Sequence, residues 1–257
     1  MSRKAILVVS FGTTFEETLR KNIANLENKI AESFKDYDVL RAFTSSIVMK
    51  RLKAKGINID NVEQALDKAV NNGYKEIIIF PTHIMNGFEY EKICTQAEAF
   101  KSKFESMKIG KALFDTVYDI QAVAEILANE YPLNDDEAMI FAGHGTDHQS
   151  NMVYSAMNYI FAHIGHPEFL VTTVEGFPNF ESTLCDLKKL GKKIVRIAPL
   201  LLVAGDHANN DIAGDEPESL KMLLKAQGYE VIPYVKGLGE YESITNLYIE
   251  HLKKIAD

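Results

Sequence analysis

The sequence predicts an α/β protein of two similar halves, each a parallel sheet flanked by helices, and three observations carry that prediction. First, residues 194–213, Ile-Val-Arg-Ile-Ala-Pro-Leu-Leu-Leu-Val-Ala-Gly-Asp-His-Ala-Asn-Asn-Asp-Ile-Ala, open as a nearly continuous apolar run that stops at Gly205-Asp206-His207. Such a run marks a strand buried on both faces of a parallel sheet, and it offers an imidazole just past the strand's carboxyl end, where open α/β sheets bind ligands. Second, the chain repeats itself. Residues 76–89 lay over 194–207 at an offset of 118, with Pro81 on Pro199, Gly87 on Gly205 and Glu89 on His207. Residues 5–13 resemble 138–146 at an offset of 133, and 40–45 resemble 170–175 at 130, offsets that agree within loop-length variation. Third, strand-length apolar runs alternate with helical stretches.

In chain order, residues 4–10 read as the first strand. Thr13-Thr14 followed by Glu16-Glu17 supplies an N-cap and first-turn acids for a helix to about Ser33. Residues 39–43 form the second strand. Ser45-Ser46 caps a helix with Lys50, Arg51, Lys53 and Lys55 on its exposed face, closed by Gly56. Residues 61–71 are helical and 76–80 form a strand. Asn86-Gly87 is a turn that opens a long helix to about Met107, a fourth strand spans 111–117, and a helix spans 119–130. The polar, proline-bearing stretch 132–137 is the expected crossing, which sets the halves at 1–131 and 132–257. The pattern then restarts: strand 138–142, helix 151–164, strand 170–174, helix 181–190, the strand from 194, helix 216–227, strand 230–234 and a last helix 241–256 that is expected to reach back to the first half.

Composition narrows the function. The 257 residues are 46% hydrophobic and 25% charged, enough for a proper core. The amino terminus is too short in apolar residues for a signal peptide, and no stretch approaches a membrane span, so the expected location is the cytoplasm with no membrane partner. Net charge is −8: residues 1–125 carry 18 basic against 17 acidic residues, residues 126–257 carry 10 against 19. No basic cluster of the density that nucleic acid needs is present. Cys94 and Cys185 form no CxxC pattern and read as small buried hydrophobes. There is no Walker A, GxGxxG or GxSxG sequence.

The repeat locates the site. At three equivalent strand ends the first half carries Phe11, Ser45 and Glu89, and the second carries His144, Glu175 and His207. Two imidazoles and a carboxylate suit a borderline divalent metal such as cobalt, nickel, iron or zinc. His144 lies between two glycines, which leaves ligand approach unhindered. His207 otherwise caps the helix that follows, and Glu175 otherwise faces solvent. His83 lines the same cleft or is a satisfied core histidine. Glu89 and Tyr90 open a helix where they bind a polar substrate, or Glu89 is simply a stabilising first-turn acid. Ser10, in Ser-Phe-Gly-Thr-Thr, has a hydroxyl at a strand exit and with Phe11 belongs to the candidate substrate contacts. His148, His163, His166 and His251 read as surface or loop residues.

These segments, Leu-Val-Val-Ser-Phe-Gly-Thr at 7–13, Arg-Ala-Phe-Thr-Ser at 41–45, His-Ile-Met-Asn-Gly-Phe-Glu-Tyr-Glu-Lys-Ile at 83–93, Gly-His-Gly at 143–145, Val-Glu-Gly-Phe-Pro at 174–178 and the motif at 199–211, resemble the anaerobic sirohydrochlorin cobaltochelatases of the class II chelatase superfamily. The resemblance spans nearly the whole chain. It implies two similar Rossmann-like α/β domains with parallel sheets, related to ferrochelatase, with the active-site cleft between them. It implies insertion of Co2+, as substrate metal and with no organic cofactor, into sirohydrochlorin (factor II) during cobalamin biosynthesis. It places the metal on His144, Glu175 and His207, with catalytic roles for His144, as base, and Glu175. An iron or nickel chelatase, or a non-catalytic tetrapyrrole or metal carrier, would use the same residues, and a homo-oligomer is compatible with all of these.

Overall fold

A computed structural model describes residues 3–256. The chain divides into two compact units, Met1–Asp115 with Gly239–Asp257, and Thr116–Leu238. In the first unit, β1 (Arg3–Ser10), β2 (Asp38–Phe43), β3 (Tyr74–Pro81) and β4 (Ser106–Ile109) form a parallel sheet in the order β2-β1-β3-β4. In the second, β5 (Glu137–Gly143), β6 (Phe169–Thr173), β7 (Ile194–Pro199) and β8 (Glu230–Pro233) form a parallel sheet in the order β6-β5-β7-β8. One topology occurs twice, and its registers reproduce the sequence offsets. Leu7 pairs with Leu40 as Ile140 pairs with Leu170, and Val9 pairs with Pro81 as Ala142 pairs with Pro199.

The central strands are apolar on both faces because helices cover both. In the first unit Leu7, Val9, Ile77 and Ile79 pack with Leu66, Ala69 and Ile93; in the second Ile140, Val195 and Ile197 pack with Leu187, Ile212 and Leu224. Each fully buried side chain of this size contributes about 1.5–3 kcal/mol relative to exposure. The last helix, Glu242–Ala256, belongs to the first unit: the buried Tyr248 hydroxyl donates to the Thr82 carbonyl at 2.8 Å.

Three local expectations shift. The helix Val117–Glu130, begun by a Thr116/Asp119 capping box, falls in the second unit, so the units change at 115/116 rather than at 131/132. The helix after Gly87 ends at Glu98, where Phe100 and Phe104 turn into the core. The fourth strand is therefore 106–109, and the apolar run Ala112-Leu113-Phe114 is a buried loop. It resembles a strand because it is buried and bonded along its backbone, Leu113 N–H donating to the His83 carbonyl and Phe114 N–H to Ile84. Thr13 and Thr14 do not cap the first helix: its N-cap is Phe15, and the stretch 16–33 contains a π-helical turn at Leu19–Ala24. No helix among the described residues is long and apolar enough to cross a membrane.

Candidate metal site

In the second unit the central strand β5 ends at Gly143 and hands the chain to His144; β6 and β7 flank it, and their exits lead to Glu175 and His207. Val174 N–H donates to the Gly143 carbonyl at 3.0 Å and Glu175 N–H to the His144 carbonyl at 2.7 Å, so the two loops run on as an extra rung of the ladder. The turn carrying Glu175 is anchored behind by Thr173, whose N–H and hydroxyl both donate to the Pro178 carbonyl, and by Asn151, which accepts from Thr146 N–H and donates to the Phe177 carbonyl.

The two glycines beside His144 have a different reason from the one the sequence suggested. A Cβ on Gly143 would lie 2.2 Å from the Tyr154 ring, and a Cβ on Gly145 would lie 1.7 Å from the Glu175 carbonyl oxygen. They admit protein, not ligand. Tyr154 is 1% exposed, and burial pushes its hydroxyl up to about 12; it stays a neutral acceptor beneath the loop, 3.5 Å from the Gly145 nitrogen.

The His144 and His207 rings stand edge to face, with centroids 4.5 Å apart and planes at 88°. His144 Nδ1 lies 2.8 Å from the Gly145 carbonyl oxygen and His207 Nδ1 lies 2.6 Å from Asp211 Oδ2. Both partners accept, so each Nδ1 carries a hydrogen, and in the neutral imidazole the lone pair then sits on Nε2. Of the predicted trio the structure brings the two histidines together, while Glu175 is tied to His144 through its backbone and its side chain is exposed. Among the described residues no group of three or more His, Cys, Asp or Glu side chains is closed around a metal position.

The equivalent strand ends of the first unit are built alike and carry other chemistry. Ser45 N–H donates to the Phe11 carbonyl at 3.2 Å, the counterpart of the Glu175–His144 bond, and the Ser45 hydroxyl caps the following helix by accepting from Val48 N–H. Phe11 is 47% exposed and open to a ligand. Ser10, expected at the substrate, is instead 1% exposed, with its hydroxyl bonded to that of Thr82 at 2.8 Å. The half-buried Tyr90 hydroxyl donates to the Gly110 carbonyl at 3.3 Å, and burial followed by its neighbour Cys94 pushes its pKa up. Glu89 lies in the first turn of the helix Phe88–Glu98; its Oε2 is buried without a hydrogen-bond partner, 3.9 Å from Lys92 Nζ. Arg41 is engaged by Glu27 through both Nε and Nη2, whereas Lys50, Arg51, Lys53 and Lys55 are exposed.

His83 keeps some exposed surface, but its Nδ1 is buried without a partner and its Nε2 faces Thr44 Oγ1 at 3.5 Å. Burial, with Lys92 nearby, lowers its pKa to about 4. Between that value and about 6.5 the unfolded chain binds the extra proton, so stability rises with pH across the window and is fully present above it. On acidification from pH 7.5 to 4.5 the wild type is expected to lose about 2–3 kcal/mol that a His83→Gln variant retains. Urea unfolding of both proteins across that range checks it; parallel curves would place His83 in water.

Asp211 and Tyr154 were missed by sequence reasoning. Asp211 had a signal, the four-residue spacing from His207, whereas Tyr154 had none beyond the bare glycine opposite it.

Residues 4–257 match the family model described as cobalt chelatase (CbiK). The chain is 36% identical over 252 residues to the sirohydrochlorin cobaltochelatase of Salmonella typhimurium, covering 97% of this chain and 95% of that one. It is 33% identical over 259 residues to sirohydrochlorin cobaltochelatase CbiKC of Nitratidesulfovibrio vulgaris, covering 98% and 90%. Among solved structures, SirB from Bacillus subtilis with Fe3+ superposes with a TM-score of 0.65 at 16% identity, over 99% of this chain and 96% of that one. The sirohydrochlorin chelatase SirB of Bacillus subtilis subspecies spizizenii with cobalt superposes equally, at 15% identity over 99% and 95%; at such identities these two matches speak for the fold. A chain that matches the family along nearly its whole length, and repeats the fold of such chelatases, belongs to the cobalt chelatase (CbiK) family.

Proposed function

We propose that this protein is a sirohydrochlorin cobaltochelatase, which inserts Co2+ into sirohydrochlorin with release of two protons, in cobalamin biosynthesis and in the cytoplasm. The observation that carries this reading is the His144–His207 pair: two imidazoles 4.5 Å apart, each with Nδ1 engaged by an acceptor, which in the neutral ring leaves Nε2 as the ligating atom. Family membership supplies the reaction class.

The chemistry follows from those groups. Cobalt is a substrate here, so its ligands must hold it and then give it up. Two neutral imidazoles and the exposed Glu175 carboxylate leave coordination positions for macrocycle nitrogens. Each pyrrole N–H that yields to the metal must lose its proton to a base within reach. An imidazole is the side chain most often used as such a base, and His144 supplies one beside the metal position. One nitrogen cannot hold metal and accept a proton together, so His144 acts in sequence, as ligand and then as proton acceptor.

Purified protein mixed with sirohydrochlorin and Co2+, Fe2+ or Ni2+ separately, with macrocycle absorbance followed in time, tests the reading. Cobalt insertion well above the uncatalysed rate, and faster than with iron or nickel, is the expected outcome. A preference for iron or nickel would overturn the metal, and tight macrocycle binding without turnover would make the protein a carrier.

A further inference from the structure

We propose that Asp211 is a positioning residue for His207, holding its imidazole in the tautomer and orientation that present Nε2 to the incoming cobalt ion. The proposal rests on the reading of His207 as a metal ligand. Three consecutive residues around His207 are each tied to the residue four positions on. The Gly205 carbonyl accepts from Asn209 Nδ2 at 2.7 Å, Asp206 Oδ1 accepts from Asn210 Nδ2 at 3.2 Å, and His207 Nδ1 donates to Asp211 Oδ2 at 2.6 Å. This ladder runs along the entry to the π-helical turn Ala208–Ile212 and fixes the backbone under the imidazole.

Its third rung differs in kind. Asparagine can donate or accept, and would tolerate either histidine tautomer opposite it. Aspartate can only accept, so the hydrogen must sit on Nδ1, and Nε2 is left as the ligating atom. An acceptor behind a metal-bound imidazole sets ring orientation as well as tautomer, and its loss typically costs 10–100-fold in affinity or activity. The alternative is a surface ion pair that serves stability. His207 and Asp211 side chains are 39% and 43% exposed, and a pair so exposed adds little to stability. Its geometry is the part that matters. His144 obtains the same tautomer without a side chain, from the Gly145 carbonyl next to it, so only His207 depends on a residue that can be replaced.

Asp211→Asn keeps the shape and removes the compulsion. We expect kcat/KM for Co2+ to fall 10–100-fold, mostly through KM, with the unfolding temperature nearly unchanged. Nitrogen-15 spectra of the metal-free protein, with the His207 ring assigned by its loss in His207→Ala, are expected to show hydrogen on Nδ1 in the wild type and a mixture in Asp211→Asn. An unchanged tautomer, or an altered tautomer with wild-type kcat/KM, would overturn the proposal. Failure of the underlying reading looks different: His207→Ala would itself insert cobalt at the wild-type rate.

Discussion

His144→Ala inserts cobalt about 10²–10⁴-fold more slowly than the wild type, the range that loss of a positioned general base produces. The loss is expected in kcat, because proton removal from the macrocycle belongs to the chemical step, and His207→Ala is expected to act more on the KM for Co2+. The fold should survive. The His144 side chain donates from Nδ1 only to the neighbouring Gly145 carbonyl, and giving up one such bond costs about 1 kcal/mol. Initial rates from macrocycle absorbance, with thermal unfolding on the same samples, decide the matter. A variant within threefold of the wild-type rate would remove His144 from the role of base and move that role to Glu175.

Much of this architecture is written in the repeat. The three offsets read from the sequence return as sheet registers, and the bond from Glu175 to His144 returns in the first unit as Ser45 to Phe11. Backbone placement is legible because a strand buried on both faces is a continuous apolar run, whose end marks where the chain leaves the sheet. Side-chain partnerships are less so. Ser10 and Tyr90 read as ligand contacts and prove to be bonded within the protein, because a hydroxyl at a strand end satisfies a neighbouring hydroxyl or carbonyl as readily as a substrate. The buried loop at 112–114 read as a strand for a related reason: burial and backbone bonding give it the same apolar signature. Asp211 was visible as a letter four places from His207, but its function depends on a 2.6 Å contact that spacing alone does not guarantee.

Gly145→Ala is expected to disable the site without touching a ligand. Gly145 adopts φ +85, where an L side chain costs about 1–2 kcal/mol, and its new Cβ would fall 1.7 Å from the Glu175 carbonyl oxygen. Unstrained non-bonded contacts need about 3.5 Å, so the Glu175 turn must retreat by well over an ångström. That retreat breaks the 2.7 Å bond from Glu175 N–H to His144 and strains the 3.0 Å bond from Val174 to Gly143, each worth about 1 kcal/mol. Conformational cost and the broken bond together come to about 2–3 kcal/mol, before any loss from the strained one. A displacement of this size at a reacting group costs about 10²-fold in rate, so activity should fall even at temperatures where the variant is folded. Gly165 provides the control. It has φ +92 and nothing within 4 Å of where a Cβ would stand, so Gly165→Ala carries the conformational cost alone, and cobalt insertion should continue at the wild-type rate. If the two alanine variants lose equal stability and keep equal activity, the close approach of the Glu175 turn to His144 is not what shapes the site; a selective loss at Gly145 is the result expected if the backbone bond between the two loops holds the Glu175 turn against His144.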